Sequence, residues 1–381
     1  MPREKLDRKE IKSRITTDLQ EKMVFLGGPR QVGKTTLAKE LLLETGSTSN
    51  AYLNWDIAQH RAVLMDETLP ANEPLLVLDE IHKFRFWRRM VKGFYDQYGS
   101  DQPLLVTGSA RLDHYRKGGD SLIGRYHYHR LHPFSLREMT TSPKPSDLQM
   151  LLTYGGFPEP LSKANERHWR RWQRERVSRV VNDDLRDLET VRDISSVELL
   201  AHSLQRKVGS PLSVKSLRED LQVAHETVER WLQILENLYY CFRLPPYGAP
   251  KIRAVKKEQK LYLWDWSQIE SPGPKLENLV ASQLLKYCHY REDDNGDTME
   301  LRYIRDTDGR EVDFVVIANK KPLFAVEVKT NDTADTKAIS YFKERTDIPA
   351  FYQVHTGNKD QIKNGIRIIP FTTFCAELNL P

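Results

Sequence analysis

The chain has 381 residues, 39% of them hydrophobic and 29% charged, with a formal net charge of +5. That length exceeds what one hydrophobic core organises and implies two to four domains, while the composition excludes a disordered polymer. No apolar run is long enough to span a bilayer, and the mild basicity permits nucleic-acid binding without requiring it.

The opening stretch MPREKLDRKE is charged and has no apolar signal core, so a cytoplasmic protein without membrane association is expected. Cys241, Cys288 and Cys375 are far apart and odd in number, which fits reduced core thiols and neither a zinc pattern nor a disulfide framework.

Residues 8–20 read as a polar helix. Met23–Gly28 is a short apolar run ending in glycines, the signature of a buried strand. A helix is predicted from Lys34 to about Thr45, with Leu37, Leu41 and Leu42 on one side. Further strands are predicted over Ala51–Leu53, Pro74–Glu80 and Pro103–Ser109. Apolar strands alternating with helices indicate a parallel sheet covered on both faces, with chemistry at the carboxyl ends of its strands.

Between the first strand and the helix stands Gly28-Pro29-Arg30-Gln31-Val32-Gly33-Lys34-Thr35, followed by Thr36. This is the G-x-x-x-x-G-K-[ST] phosphate loop. Gly33 lets backbone N–H groups approach phosphates at the helix N-terminus. Lys34 is a point charge for the β- and γ-phosphates, and the Thr35 hydroxyl is placed for magnesium. ATP and Mg2+ are the expected cofactors.

Asp79 ends an apolar strand and can hold the magnesium shell, while Glu80 can orient and deprotonate the attacking water. His82 reads either as a γ-phosphate sensor or as an ordinary loop histidine. Thr107-Gly108-Ser109 reads as a polar sensor or a helix N-cap. Arg111 and Arg125 are both candidates for a transition-state cation.

GGPRQVGKTTLAKEL, VLDEIHK, TGSARL, LIGRYHYHRLHPFSLRE and YGGFPEPL stand in this order along the chain. In that order they resemble a family of prokaryotic AAA+-like ATPases joined to a C-terminal domain of unclear function. The resemblance implies Asp79 and Glu80 as the acid pair, Thr107–Ser109 as the sensor region and Arg125 as the finger. Proteins of that kind often form rings, so a homo-oligomer is in view.

The character changes near residue 140, where TTSPKPSD reads as a linker. Asn165–Arg179 carries Arg167, Arg170, Arg171, Arg174, Arg176 and Arg179 with Trp169 and Trp172 on one helix. Spacings of three and four put several arginines on one face, which suits either a phosphate backbone or pairing with Asp183, Asp184 and Asp187.

Ser213–Leu221 and Ala224–Leu238 read as two helices with a short connection, Val228, Leu232, Leu235 and Leu238 forming the inward stripe of the second. The strand that follows contains Arg253, Lys256, Lys257 and Lys260. Helix-turn-helix and basic wing resemble a winged-helix domain, whose DNA-binding versions put the second helix in the major groove.

After Ser271–Lys275 the pattern is helix, strand, strand, helix, strand. Glu277 opens the helix, Asp313 lies in one strand, and Glu327 and Lys329 share a face of the next. Two carboxylates on neighbouring strands suit a divalent metal, and a nearby lysine can stabilise a developing phosphorane charge. This resembles the PD-(D/E)xK nuclease fold, which carries Asp313, Glu327 and Lys329 as core residues and Glu277 as the helix acid. Val312 stands where that pattern has proline.

The organisation expected is an α/β chain of four modules: a P-loop AAA+-like ATPase domain (1–145), an arginine-rich helical lid (146–195), a winged helix (196–270) and an α/β restriction-endonuclease-like domain (271–381). DNA is the expected partner. The function read from this is ATP hydrolysis coupled to DNA engagement, with or without magnesium-dependent cleavage. The alternative is a nucleotide-gated binding module that does not cut.

Overall fold

Met23–Gly27 (β1), Leu76–Asp79 (β3) and Leu104–Thr107 (β4) bury every one of their residues. Strands without a solvent-facing side are covered on both faces, as their unbroken apolar runs require. Each fully buried Val, Leu or Phe there contributes about 1.5–3 kcal/mol relative to an exposed one. The structure, a computed structural model, describes residues 6–108, 112, 122, 124–180, 193–248, 258–333 and 336–380. It divides into two compact units, one running to His132 together with Asn237–Tyr239, the other built from the remaining described residues from Pro133 onward.

In the first unit, Tyr52–Asn54 (β2) and Tyr126–Arg130 (β5) complete a five-stranded sheet of order β2-β3-β4-β1-β5. All its pairings are parallel: Val24 faces Leu105 of β4 and His127 of β5, and Asn54 faces Asp79. The described helices are Lys9–Asp18 (α1), Lys34–Thr45 (α2), Ala58–Met65 (α3) and Trp87–Tyr98 (α4). Gly46 ends α2 with φ +78°, a left-handed C-cap that glycine adopts without strain.

In the second unit, the segment expected to be a linker holds a helix, Pro145–Tyr154, begun by proline in its first turn. Helices Pro158–Lys163, Glu166–Arg179, Ile194–Leu204, Val214–Leu221 and His225–Asn237 follow. Cys241–Leu244 (β6) and Lys260–Leu263 (β7) form an antiparallel pair. The long helix Pro272–Asn295 then precedes a six-stranded mixed sheet.

That sheet contains Met299–Arg305 (β8), Glu311–Ala318 (β9), Lys321–Lys329 (β10), Phe351–His355 (β11), Gln361–Lys363 (β12) and Ile366–Pro370 (β13), in the order β12-β13-β11-β10-β9-β8. Strands β8, β9 and β10 pair antiparallel, β11 runs parallel to both β10 and β13, and β12 is antiparallel to β13. Val315, Ile317, Ala325, Ile339, Phe342 and Phe351 are among the buried side chains of one core cluster there.

The buried Asn278 ties the long helix to β7. Its amide nitrogen donates to Leu263 O and its oxygen accepts from Leu263 N–H, both at 2.7 Å. The side chain thus acts as a one-residue strand partner and satisfies two backbone groups that burial would otherwise orphan.

Candidate active site: a phosphate loop and a carboxylate cluster

β1 delivers the chain to the phosphate loop, and α2 starts at its end. Gly28 has φ +144°, and a Cβ there would lie 2.4 Å from the Leu131 carbonyl oxygen, so only glycine fits. Gln31 (φ +63°) and Gly33 (φ +103°) curl the loop into the α2 N-terminus. The buried Lys34 ammonium donates to the carbonyls of Gly28 (2.8 Å) and Pro29 (2.9 Å). Arg8, outside every sequence motif, donates to Val32 O at 3.2 Å and braces the loop. Thr36 is exposed in the first turn of α2.

Asp79 is the hub of the site. Its Oδ2 accepts from the hydroxyls of Thr35 (2.9 Å) and Tyr52 (2.5 Å) and from the Asn54 amide (3.4 Å), and Thr107 donates to its Oδ1. Thr107 is therefore spent on orienting the acid, while Ser109 and Arg111 lie outside the described residues. Burial drives the Tyr52 phenol well above its ordinary pKa, so it stays a hydrogen-bond donor. Tyr52 and Asn54 escaped the sequence reading. They alternate along β2 towards Asp79, a period-2 signal that three residues carry too briefly to be noticed.

Glu80 follows in a left-handed conformation (φ +58°), uncommon for a residue with a side chain and concentrated at functional sites. Burial raises the pKa of its carboxyl, with Lys34 and Lys83 opposing. Lys83 Nζ lies 3.6 Å and His82 Nε2 3.7 Å from Glu80 Oε2.

The residues fit a magnesium-bound nucleoside triphosphate. Lys34 supplies a buried ammonium at the N-terminus of α2, and Thr35 and Asp79 bring two hard oxygens together. Arg125 does not join them within the chain. Its carbonyl accepts from Met23 N–H at the amino end of β1, and its Nε donates to Asp96 at 3.1 Å. Five residues of strand, roughly 16 Å, separate that end of the sheet from the loop.

The second constellation gathers on β7, β9, β10 and the helix Pro272–Asn295. Lys260, only 1% exposed, lies 3.2 Å from Glu277 Oε1 and 3.4 Å from Asp313 Oδ1, and it also contacts Glu311 Oε1. Tyr262 donates to Glu277 at 2.7 Å, and the Val328 N–H donates to Asp313 Oδ2 at 2.9 Å. Lys329 donates to Glu327 Oε1 at 2.7 Å, whereas Glu327 Oε2 is buried with no hydrogen-bond partner among the described residues.

Burial, then the charge of Asp313, pushes Glu277 up to about 7 and Glu327 up to about 8. Burial works against the Lys260 charge, yet Asp313, Glu277 and Glu311 hold its pKa above the ordinary value. The sequence puts Lys260 in the strand of a basic wing. The structure turns it inward, because Lys260 and Tyr262 share one face of β7 as Glu311 and Asp313 share one face of β9. Arg253, Lys256 and Lys257 lie outside the described residues.

The arginine helix is divided. Arg176 is buried, stacked 4.3 Å from the Phe157 ring centroid and 3.8 Å from Asp265 Oδ2. It is no part of an outward face. Arg170 and Arg179 make intrahelical pairs with Glu166 and Glu175. Arg167, Arg171 and Arg174 are exposed at helical spacing. Asp183, Asp184 and Asp187 lie outside the described residues.

A phosphate loop after an interior strand of a parallel sheet, with its threonine bonded to the acid ending β3, is the arrangement of a P-loop nucleotide-binding fold. Residues 20–140 match the family described as AAA domain, while 145–269 and 272–374 match two domains of unknown function, DUF8612 and DUF4143. The chain is similar to the uncharacterized protein MJ1544 of Methanocaldococcus jannaschii, 22% identical over 89% of this chain and 84% of that one. It is also similar to the uncharacterized protein Rv2008c of Mycobacterium tuberculosis, 23% identical over 68% of this chain and 58% of that one. Among solved structures, the RuvB Holliday junction branch migration motor of Thermotoga maritima aligns with a TM-score of 0.34 and 17% identity, over 63% of this chain and 90% of that one. Among the described residues no helix is long and apolar enough to cross a membrane.

Proposed function

We propose that this chain binds and hydrolyses ATP with magnesium at Gly28–Thr36, Asp79 and Glu80, and that it engages DNA through its second unit. The observation that carries the first part is the 2.9 Å bond from Thr35 Oγ1 to Asp79 Oδ2, beside a loop closed by Lys34. In this reading Thr35 and Asp79 hold the metal, and Lys34 exchanges its two carbonyl partners for phosphate oxygens. Magnesium, when bound, supplies positive charge against the phosphate oxygens. Tyr52, Asn54 and Thr107 keep Asp79 oriented. Glu80 orients water and takes its proton, and its raised pKa makes it a better base than an exposed carboxylate.

The exposed Arg167, Arg171 and Arg174 support contact with a phosphate backbone. The two short helices followed by the β6–β7 pair support a winged-helix reading, with the arginine helix as a lid. An assembly of copies fits as well, since Arg125 can act as a finger only on a neighbour. For the C-terminal region, Asp313, Glu327, Lys329 and Glu277 support a PD-(D/E)xK-like site. The second reading, binding without cleavage, is favoured by one observation: the Lys260 ammonium already sits among Glu277, Glu311 and Asp313.

Glu80→Gln tests the ATPase assignment. The variant is expected to bind Mg-ATP as tightly as wild type and to turn over roughly 100-fold more slowly or worse. Wild-type turnover in that variant would remove Glu80 as the base.

A further inference from the structure

The acidic cluster of the second unit holds a cation that belongs to the chain. Lys260 enters from β7, while the acids around it come from the helix Pro272–Asn295 (Glu277) and from β9 (Glu311 and Asp313). An ammonium has three N–H donors, and three carboxylates stand around this one. The Tyr303 ring lies below it, 5.6 Å from Nζ to the centroid.

Asp313 is thereby used on both oxygens, Oδ2 by the Val328 N–H and Oδ1 by Lys260. Next to it, Glu327 is 8% exposed and keeps Oε2 without a hydrogen bond among the described residues. A divalent ion shared by Asp313 and Glu327 would have to take Asp313 Oδ1 from the ammonium. Consistent with this, no three His, Cys, Asp or Glu side chains among the described residues come together in a metal-holding arrangement.

We infer that Lys260 is a tethered counter-ion that closes the Asp313–Glu327 cluster to divalent metal, so that metal enters only when β7 withdraws that side chain. This rests on reading the cluster as a PD-(D/E)xK-like metal centre, and it adds the residue that decides whether the centre is loaded. A fixed ammonium needs no dehydration on arrival and repels a second cation at the same oxygens. Neutralising Lys260 leaves a surplus of buried negative charge that either protons or an external cation must balance, so manganese binding is measured at about pH 8.5, where the cation has the advantage.

The test is manganese binding to the full chain without nucleotide, followed by water-proton relaxation, in wild type, Lys260→Met, Lys260→Gln and Lys260→Met combined with Asp313→Asn. Both single variants should gain one site roughly tenfold or more tighter than anything in wild type, and the double variant should lose it. A wild-type chain that already binds manganese in an Asp313-dependent way, or single variants that gain no site, would overturn the inference.

A wild-type measurement guards against variants that fail to fold. Amide exchange in β9 and in the helix Pro272–Asn295 should be unchanged by about 1 mM manganese. Protection of those amides would equally overturn it. Plasmid cleavage is scored separately: a gained site without cleavage leaves the counter-ion standing and removes only the nuclease reading.

Discussion

Glu327→Gln should stabilise the protein at alkaline pH and do little for it in acid. Glu327 is buried, pairs with Lys329 through one oxygen and leaves the other without a hydrogen bond among the described residues. Burial first, and then Asp313, pushes its carboxyl up to about 8, from an ordinary 4.5, with Lys329 opposing and Glu311 adding a smaller upward push. The folded state therefore holds this proton more tightly than the unfolded chain does. The stability it contributes is complete below the unfolded pKa and is lost as pH climbs through the folded one.

Each pKa unit is worth about 1.4 kcal/mol, so the loss has a ceiling of about 5 kcal/mol, reduced to a few by relaxation. Glutamine keeps the shape and has no charge to desolvate. Urea titrations in EDTA at about pH 5 and about pH 9, with amide exchange of β10 and β11 to localise the transition, measure the effect. A Glu327→Gln minus wild-type difference that stays flat with pH, or that favours wild type as pH rises, would refute the argument.

Two further substitutions probe the supports of each site. Gly28→Ala puts a Cβ 2.4 Å from Leu131 O in a conformation foreign to alanine, and the displaced loop should weaken fluorescent-ATP binding about tenfold or more, read by titration. Asn278→Leu strands the buried N–H and C=O of Leu263, and should cost roughly 2–4 kcal/mol in chemical denaturation; Asn278→Asp restores only an acceptor and should not recover it.

The elements that could be read from sequence were those whose local pattern matches their environment. β1, β3 and β4 are unbroken apolar runs, and α2 begins at its lysine because the glycine before it is a left-handed N-cap. β5 was hidden, since YHYHR is polar and only two of its five residues are buried. Charge misled most. In a run of arginines nothing local marks Arg176 as buried except its four-residue spacing from Trp172, which shares its face. Lys260 was hidden for the same reason: a lysine in a basic stretch looks solvated until the acids that enclose it, 17, 51 and 53 residues away, are folded around it. The partners of Asp79 are likewise tertiary facts, drawn from β2, β4 and α2.

The strand order of the first unit also sets a timetable for biosynthesis. β1 is made early, yet its two neighbours are β4 and β5, with Val24 opposite Leu105 and His127. A nascent chain that has emerged only as far as β3 carries the whole glycine-lysine motif but has neither flank against which β1 can set. The carbonyl of Leu131 that rests against Gly28 arrives later still. Closure over so long a separation is slow. During synthesis, nucleotide can therefore act as a ligand for this loop only after the ribosome has passed the end of β5.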